Sequence, residues 1–576
     1  MAGKRRPKAA VLVARGRRVM RRGARRMERR ARAFLAARPG SAPTSAAGTA
    51  SVPGVVEEFT RWDVAGWVAV PQPAGPVRIT LHLQDRQVAA TWALAVAEPT
   101  GDPERRPFRL QLKDIWNYAR AGDCLTVRAD GSPLPIVGHG MSCRPEGDGE
   151  YTVADLTRRI DEGFVFSRRG ILQLSKKFDT AWQRRMLDGY GRLRASVHDL
   201  GGLELFAMYG SLLGAVREQG FIGHDDDFDV AVLCSARTGG EASAELKRLA
   251  FALIDAGYDV SPRMSAVHIH DVEARVRIDI FHLYFDADGI LRFPFGAAGV
   301  TDFGVEKWGG VVEVPFAVGK VLVPANPEAL VETIYGPNWQ IPTPGFHWDR
   351  DRRVRATEGL LSLEDREEIY WANFYARTEY TNGSTFFDAV NARPDMPGHV
   401  IDIGCGDGRD SYAFGLAGRT VTGLDRSHIG VRHAAKKAAD MGTEQVGFVA
   451  CDVADPRALR EVLRVAAERA GDSALMFYAR FFLHSIPVEV QNTLMVEIRD
   501  AARPGDMFAA EFRTTADMGL RKVHEKHYRR FQDGPAFGVA LSQQYGFDVV
   551  HELESAGLSP YRDEDPVLYR VVGTKR

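Results

Sequence analysis

The sequence predicts an α/β multidomain protein that begins with a small β-sandwich and continues with two domains in which helices and strands alternate. The first observation is length, because 576 residues exceed what one hydrophobic core organises, and three or four domains are expected. The second is a region of short alternating runs, such as VRITLHLQ and CLTVRAD, separated by Pro and Gly turns. The third is a pair of apolar strand patterns that each end in glycine and lead into a helical pattern.

Changes in composition and periodicity along the chain set the domain boundaries. The predicted segments, in order, are a basic amphipathic arm (1–38), a linker rich in Ala, Ser, Pro and Gly (39–54), the β-sandwich as an accessory domain (55–145), a first α+β domain (150–348), a helical connector (349–392) and a second α/β domain (393–576). No internal repeat is visible, since the motifs of the last two domains are unrelated.

The composition is that of a globular protein, with 45% hydrophobic and 26% charged residues. Five scattered cysteines, none in a CxxC pair, indicate neither a disulfide framework nor a zinc site, and favour a reducing compartment. No apolar run approaches the roughly 18 residues that a membrane span requires. The basic N-terminus lacks the apolar core of a signal peptide. The sequence therefore predicts a cytoplasmic protein.

Positive charge is concentrated at the N-terminus. Residues 1–38 carry fifteen of the 75 Lys and Arg residues and a single acid, Glu28, so the remaining chain has 60 basic and 74 acidic residues. Apolar residues recur in this arm at spacings of seven or eight, which predicts a basic helix lying on an anionic membrane surface, at the inner face of the cell membrane. A disordered tail is the alternative, and nucleic acid is the least favoured partner.

Carboxylates are concentrated in the first α+β domain, within the passage MYGSLLGAVREQGFIGHDDDFDVAV (208–232). Side chains alternate faces along an extended strand, so Asp225, Asp227 and Asp229 are predicted to project to one side. Three like charges on one face repel unless a cation lies among them. A later strand pattern, ARVRIDIFHLYF, places Asp279 in an apolar run, where an acid needs a partner or a metal. Oxygen ligands without thiolates predict Mg²⁺ or Mn²⁺.

A Gly-Ser pair, an Asp-x-Asp run and a third Asp on a later strand resemble the active site of nucleotidyltransferase-fold enzymes. More specifically, residues 165–348 resemble the LicD family, which includes the fukutin-type proteins. The resemblance rests on YGSLLGAVR, the DDD-x-D-V run, IDIF and the closing GKVLVPANPEALVETIYGPNW. His224 departs from the family pattern, which usually has Trp there, and is expected to alter the rim of the pocket.

The LicD resemblance implies transfer of a phosphorylated alcohol from a CDP-activated donor to a glycan. It implies that four acids hold the metal and act in catalysis: Asp225, Asp227, Asp229 and Asp279. The metal would neutralise donor phosphates during in-line attack by a sugar hydroxyl. Gly210 would let the backbone approach phosphate, and Ser211 would donate a hydrogen bond to it. Arg217 is either a phosphate contact or a helix-surface arginine. A calcium-stabilised or merely acidic strand is the alternative to this site.

A second glycine motif follows a strand in HVIDIGCGDGRD (399–410). Glycines let a cofactor approach the backbone amides, and the dinucleotide fingerprint GxGxxG occupies the same kind of place. Here the spacing is GxGxG, and two later strands end in acids placed for ribose and adenine. This order resembles class I S-adenosylmethionine-dependent methyltransferases over residues 365–576, with their Rossmann-like fold. A nicotinamide dehydrogenase is the alternative that the spacing disfavours. The resemblance implies a cofactor site formed by Asp402, Gly404, Gly406, Gly408, Asp425 and Asp452.

Basic residues follow the later strands of this domain, where open α/β sheets bind their ligands. A cluster of His and Arg there predicts an acidic acceptor, such as a phosphorylated or carboxylated sugar. The predicted acceptor-binding residues are Arg480, Arg513 and Arg529. Methyl transfer to oxygen also needs a base, and His484 or His527 could serve. An ordinary solvated helix is the alternative reading of these residues.

The two resemblances together imply a bifunctional transferase that acts on a growing, lipid-linked cell-surface glycopolymer. The first domain would attach a phospho-alcohol, and the second would O-methylate the glycan or a terminal phosphate. The arm would hold the enzyme at the membrane. Two rivals stay open: a tailoring enzyme for a small secreted metabolite, and a membrane-surface scaffold whose catalytic folds are relics. Intact acids at both sites count against the scaffold.

Overall fold

A computed structural model describes residues 52–71, 74–95, 103–167, 169–272, 274–295, 301–343, 358–377, 382–520, 522 and 528–576. The predicted arm (1–38) and most of the predicted linker lie outside these residues. Helices alternate with strands that form several separate sheets, which confirms the predicted α/β multidomain class. Within the described ranges, no helix is both long and apolar enough to cross a membrane.

The region predicted as a β-sandwich consists of two sheets that share one core. Its strands are β1 (Gly54–Phe59), β2 (Asp63–Val70), β3 (Val77–Leu83), β4 (Arg86–Ala93), β5 (Glu104–Gln111), β6 (Leu125–Ala129) and β7 (Ser132–Pro133). One sheet has the order β1-β2-β5 and the other the order β4-β3-β6-β7. Val64 and Val68 of β2 and Ile79 and Leu81 of β3 meet in the core. Alternating apolar residues therefore line the inner face of each sheet.

The chain then adds a helix and a hairpin to this same core. These elements are α1 (Val153–Asp161), β8 (Phe164–Phe166) and β9 (Leu172–Leu174). Leu156, Phe166 and Leu172 pack against the core of the two sheets. The Asp114 carboxylate accepts a hydrogen bond from the Leu172 amide at 2.9 Å. Gly170 has a positive φ, and a Cβ there would lie 2.2 Å from the backbone nitrogen of Lys113. Only glycine allows this close approach.

The next region surrounds a six-stranded sheet. Its elements are α2 (Thr180–Gly201), β10 (Phe206–Ala207), α3 (Tyr209–Glu218), β11 (Phe228–Leu233), α4 (Gly239–Asp255), β12 (Asp259–Pro262), β13 (Ala266–Asp271), β14 (Val276–Phe285), β15 (Leu291–Arg292), β16 (Val311–Phe316), β17 (Gly319–Pro324) and α5 (Pro327–Tyr335). The strand order is β10-β11-β14-β13-β12, and β15 pairs with β14. Strand β14 is buried along almost its whole length, as its apolar run predicts. Strands β16 and β17 form a separate hairpin.

The last region is a Rossmann-like sheet with helices between its strands. Its elements are α6 (Leu363–Arg377), α7 (Thr385–Asn391), β18 (His399–Ile403), α8 (Arg409–Leu416), β19 (Thr420–Asp425), α9 (His428–Asp440), β20 (Val446–Ala450), α10 (Pro456–Ala470), β21 (Leu475–Arg480), α11 (Val488–Ala501), β22 (Met507–Arg513), α12 (Gly534–Gln543), β23 (Phe547–Ser555) and β24 (Leu568–Lys575). The strand order is β20-β19-β18-β21-β22-β24-β23.

Strand directions in this sheet fix where a ligand can bind. The first five strands of the order run parallel, and β24 is antiparallel to both of its neighbours. The chain reverses its direction of progress across the sheet between β18 and β21. In open α/β sheets the ligand crevice lies outside the carboxyl ends of the strands at this point. The residues that follow Ile403 and Arg480 therefore form the candidate cleft.

Candidate active sites

The acidic residues of the first site occupy a loop and the start of a strand. Strand β11 begins only at Phe228, so Asp229 lies in the strand while Asp225 and Asp227 precede it. The prediction that all three lie on one extended strand is therefore wrong. The chain turns before them, with the Asp225 amide bonded to the Ile222 carbonyl at 3.1 Å. This turn, and not strand alternation, places the acids.

The loop nevertheless brings carboxylates together around one point. Oxygen atoms of Asp227, Asp229 and Asp279 all lie within 4.8 Å of one another. Asp279, on β14, is only 5% exposed and accepts a hydrogen bond from Arg277 Nε at 2.9 Å. His268 Nε2 lies 3.5 Å from Asp279, but burial lowers the pKa of His268 to about 3, so the ring is neutral. Clustered hard oxygen donors fit Mg²⁺ or Mn²⁺.

Glycine at position 210 is required by these carboxylates. A Cβ on Gly210 would lie 2.6 Å from an Asp225 oxygen and 3.1 Å from an Asp229 oxygen. The Gly210 amide donates a hydrogen bond to Asp229 at 3.1 Å, and the Ser211 hydroxyl accepts one from the Asp229 amide at 2.8 Å. Gly210 and Ser211 therefore position the acids. The sequence had predicted only phosphate contacts for these two residues. Tyr209, directly before them, has a strained φ of +44°.

A cavity that is open to solvent lies beside the acids. Its lining includes Gly210, Arg217, His224, Asp225, Asp229, Tyr335, Asn338 and Trp339. The Arg217 side chain is only 12% exposed, so the prediction of a helix-surface arginine is wrong. Its guanidinium donates to the Trp339 carbonyl at 3.2 Å and to Glu218 at 2.9 Å. The cavity thus combines acids, one fixed guanidinium and aromatic rings, a lining that suits a charged ligand with a flat ring.

The acidic loop rests on β9 and the segment that follows it. The Lys176 amide donates to the Gly223 carbonyl at 2.9 Å, and Gln173 Nε2 donates to the His224 carbonyl at 3.3 Å. Lys177 forms an ion pair with Glu218 at the end of α3. A Cβ on Gly223 would lie 2.5 Å from the Ser175 hydroxyl. Residues 173–177 therefore hold the position of the loop, which the sequence did not indicate.

The glycine loop of the second site follows β18. Gly404, Gly406 and Gly408 have φ values of +73°, +57° and +79°, which other residues rarely adopt. A Cβ at Gly404 would lie 2.1 Å from the ring of Phe482, and one at Gly408 would lie 2.7 Å from the ring of Phe448. The three predicted glycines therefore form one tight turn at the mouth of the cleft.

Acids surround this loop. Burial raises the pKa of Asp402 to about 7, although its carboxylate accepts a hydrogen bond from the Ser411 hydroxyl at 2.6 Å. Burial also raises the pKa of Asp407 to about 6, and one of its oxygens has no hydrogen-bond partner in the described part of the chain. Asp425 accepts from the Gly406 amide at 3.0 Å and the Ser427 amide at 2.8 Å. Asp452 follows β20 and is exposed.

The positive charge of Arg480 is balanced by Asp410, a buried acid that the sequence analysis missed. Asp410 accepts hydrogen bonds from Arg480 Nε at 2.7 Å, the Tyr478 hydroxyl at 2.7 Å, and the amide and hydroxyl of Ser384 at 2.7 and 2.8 Å. Burial alone would raise the pKa of Asp410, but the Arg480 charge and the hydroxyl donors lower it. Asp410 follows the GxGxG run by two residues, and an acid at the start of a helix was the available signal.

The predicted acceptor residues have different environments. Arg513 is buried and pairs with Asp517 at 2.7 Å and Glu564 at 2.5 Å. Like Arg480, it pairs with buried acids of the protein, which the sequence analysis did not predict, and acceptor binding by the two arginines stays a prediction. Arg529 is partly buried and forms no hydrogen bond or ion pair within the residues that the structure describes. His527 lies outside the described residues.

His484 contacts Arg530 through the backbone. It belongs to a short 3-10 helix, Leu483–Ser485, and is 5% exposed. Its carbonyl accepts from the Arg530 amide at 2.8 Å. Its Nδ1 accepts from the Arg513 amide at 3.3 Å, so the neutral ring carries its proton on Nε2. In this tautomer the ring edge opposite Nδ1 is a donor, which disagrees with the predicted role of general base.

Two family models match the chain. Residues 202–326 match the model described as the LicD/FKTN/FKRP nucleotidyltransferase domain, and residues 395–462 match a methyltransferase domain. Both resemblances expected from the sequence are confirmed. The chain is a transferase that combines a LicD-type domain with a methyltransferase domain. No curated protein matches the chain.

Similar solved structures include three methyltransferases. A SAM-dependent methyltransferase from Anabaena variabilis is 18% identical, with a TM-score of 0.30, over 38% of this chain and 96% of the other. A glycopeptide N-methyltransferase is 16% identical, with a TM-score of 0.27, over 34% and 97%. The magnesium protoporphyrin IX methyltransferase of Synechocystis, with bound SAM, is 16% identical, with a TM-score of 0.25, over 36% and 84%. Scores this low carry no argument about the reaction.

Proposed function

We propose that the chain is a bifunctional transferase of a cell-surface glycopolymer. Its first site transfers a phospho-alcohol from a CDP-linked donor to a glycan with Mg²⁺ or Mn²⁺, and its second site uses S-adenosylmethionine for O-methylation. The main observation in support is that the carboxylates of Asp227, Asp229 and Asp279 converge. Gly210 packs against Asp225 and Asp229 at the wall of a cavity. The LicD-type match over residues 202–326 supports the donor class.

At the first site, the chain's residues position and neutralise a charged donor. Asp227, Asp229 and Asp279 would hold a divalent cation, which supplies charge neutralisation for the donor phosphates when bound. Arg217, fixed by the Trp339 carbonyl, adds positive charge to the cavity wall. The aromatic ring of Trp339 offers a flat surface for the donor base. The arrangement suits in-line attack by a sugar hydroxyl, because phosphoryl transfer depends mainly on positioning and electrostatics.

At the second site, the acids fit a cationic cofactor. Asp407 has a buried oxygen without a hydrogen-bond partner among the described residues, which an ammonium group would satisfy. The carboxylate of Asp425 is anchored on two amides and retains lone pairs for ribose hydroxyls. S-adenosylmethionine, when bound, supplies the methyl group from its sulfonium. These residues therefore support S-adenosylmethionine over a nicotinamide dinucleotide.

The acceptor residues favour an anionic oxygen as the methyl acceptor. Arg529 brings a partly buried cation that forms no hydrogen bond or ion pair within the described residues. His484 has its Nδ1 engaged by the Arg513 amide and so acts as a donor. A phosphate or carboxylate oxygen already carries its electron pair and needs no general base. We therefore assign the acceptor to a terminal phosphate or a carboxylated sugar of the glycan.

The direct test follows both products from one preparation of the full chain. Release of CMP from CDP-linked alcohols is measured with Mg²⁺ and a glycan acceptor, and labelled methyl transfer is measured on acceptors with and without a terminal phosphate or carboxylate. The proposal expects metal-dependent CMP release and methylation confined to the anionic acceptors. Absence of CMP release from every CDP-alcohol would refute the first activity. Equal methylation of neutral glycans would refute the acceptor class.

Cofactor affinity should depend on pH. The pKa values of Asp407, about 6, and Asp402, about 7, are raised, so both acids gain protons as pH falls through these values. The positive charges of Lys437 and Arg480 lower the pKa of Asp407 and so oppose the effect of burial. The negative charges of Asp410 and Asp425 raise the pKa of Asp402 further. The ammonium group of the ligand favours the ionised forms, so S-adenosylhomocysteine should bind about tenfold more weakly at pH 5 than at pH 8. Calorimetry at both pH values measures this. Asp407→Asn should flatten the dependence, and an unchanged slope would exclude Asp407.

The membrane location of the enzyme stays a prediction, since residues 1–38 lie outside the described part of the chain. Fifteen basic residues there should bind anionic lipid mainly through charge, with screening over about 10 Å at 0.1 M salt. The full chain should sediment with anionic vesicles at low salt and dissociate near about 0.5 M salt, where screening is stronger. Deletion of residues 1–38 should abolish this binding. Equal binding by the truncated protein would exclude the arm as the anchor.

A further inference from the structure

Helix α6 places an aromatic ring against the glycine loop of the methyltransferase site. A Cβ on Gly406 would lie 2.6 Å from Tyr375 Cε1, and a Cβ on Gly430 would lie 3.2 Å from Tyr375 Cδ2. The ring therefore contacts the same residue whose amide binds Asp425. Trp371, one turn earlier, stacks on it with ring centroids 5.7 Å apart and planes 23° apart. Burial, with Asp425 and Asp407 nearby, raises the pKa of Tyr375 well above its usual range, so the phenol is neutral.

The same helix is bound on another side to strand β12. The Asn373 side chain accepts a hydrogen bond from the Val260 amide at 2.8 Å and donates one to Asp259 at 3.0 Å. Strand β12 is an edge strand of the six-stranded sheet, so Asn373 satisfies a backbone amide that no further strand pairs with. Only one residue separates Asn373 from Tyr375 along the chain. The β12 contact and the ring are therefore less than one helical turn apart.

A second contact fixes the beginning of α6. Lys247 of α4 lies 2.7 Å from Asp365 and 2.7 Å from Glu368. These two acids are three residues apart and lie on one side of the helix. Side chains of α4 and β12 thus hold α6 at several points. Both elements precede the methyltransferase match at 395–462. The helix has little freedom to move away from the glycine loop.

We infer that Tyr375 forms a wall of the cofactor site and that the docking of α6 on β12 holds this wall in place. The inference rests on the proposed use of S-adenosylmethionine. A cofactor bound to Gly406 and Asp425 must contact the ring that covers this part of the loop. The methyltransferase site is therefore completed by a helix that the first catalytic region positions. Cofactor affinity then depends on residues more than 100 positions before the glycine loop, such as Asp259.

Calorimetry of S-adenosylhomocysteine binding to the full chain tests the wall. Tyr375→Ala should weaken binding at least about tenfold by removing apolar contact with the ligand. Tyr375→Phe should stay within about twofold, because the ring and not the hydroxyl covers the loop. Leu363→Ala is the matched control, since Leu363 lies on the same helix and is 56% exposed. Wild-type affinity in Tyr375→Ala would overturn the inference. No binding by the wild-type chain would instead refute the proposed cofactor.

A double-mutant cycle tests the anchor. Asn373→Ala and Asp259→Ala should each weaken binding several-fold, and the double variant should be no weaker than the poorer single variant, because both remove one contact. Melting temperatures of the same proteins separate affinity from folding. Lower melting temperatures with unchanged affinity in all three variants would show that α6 keeps Tyr375 in place without β12, and would overturn the anchoring.

Discussion

Replacement of Asp227 or Asp229 by asparagine is expected to abolish CMP release from a CDP-linked alcohol. Each substitution removes one of the carboxylates that converge within 4.8 Å, and an amide oxygen without charge is a poor ligand for Mg²⁺. The loss should reach at least about a thousandfold, or ~4 kcal/mol of transition-state stabilisation. Asp229→Asn should be the more severe, because Asp229 also accepts the Gly210 amide. A coupled assay of CMP release measures the activity of both variants.

The neighbouring acid provides the control for this experiment. Asp226 is exposed and lies in a second acidic group with Asp225 and Asp227, so Asp226→Asn distinguishes the two groups. Most activity should remain in Asp226→Asn if the convergent acids hold the metal. Methyl transfer by all these variants should be unchanged, which excludes general unfolding. Retained phosphotransfer in both Asp227→Asn and Asp229→Asn would remove the assignment of the site.

Asp425→Ala should weaken S-adenosylhomocysteine binding roughly 10- to 100-fold. A charge-assisted hydrogen bond contributes about 1.5–3 kcal/mol, and the two ribose hydroxyls are the predicted donors to this carboxylate. The substitution also leaves the Gly406 and Ser427 amides without their acceptor, so the glycine loop should loosen. Asp425→Asn should lose less, because one acceptor oxygen remains. Calorimetry with the full chain gives both affinities.

Two comparisons make this result specific. Asp472→Asn changes an exposed acid of the same region and should bind like the wild type. NAD should bind weakly or not at all to every variant, since the loop spacing is GxGxG. Tight NAD binding by the wild type, lost in Asp425→Ala, would support the dehydrogenase alternative and contradict the methyltransferase cofactor.

The elements that the sequence predicted well are those whose signal is local. Gly404, Gly406 and Gly408 follow an apolar strand directly, and their positive φ values are what such a motif demands. The cluster of Asp227, Asp229 and Asp279 was also predictable, because an acid inside the apolar run of β14 needs a partner. In both cases the sequence around each residue indicates what that residue requires.

The features that sequence analysis missed depend on contacts between distant segments. Asp410 compensates Arg480 across 70 positions, and Arg513 meets Glu564 across 51, so neither guanidinium could be recognised as internally paired. Tyr375 looks like one aromatic residue among several in α6, and only the fold sets it against Gly406. The start of β11 was misjudged because the turn before Asp225 depends on packing that strand periodicity does not report.

The contact between Gly170 and Lys113 has a consequence for how this protein could be rearranged by recombination. That glycine allows the hairpin of β8 and β9 to pack closely on the two-sheet core, and residues of β9 and the segment after it hold the acidic loop through Gly223 and His224. The accessory region is thus part of the scaffold of the first candidate site. A chimera joined between residues 145 and 165 would separate the hairpin, and with it the residues that hold the loop, from the two-sheet core on which they pack, so viable shuffling points should lie before β1.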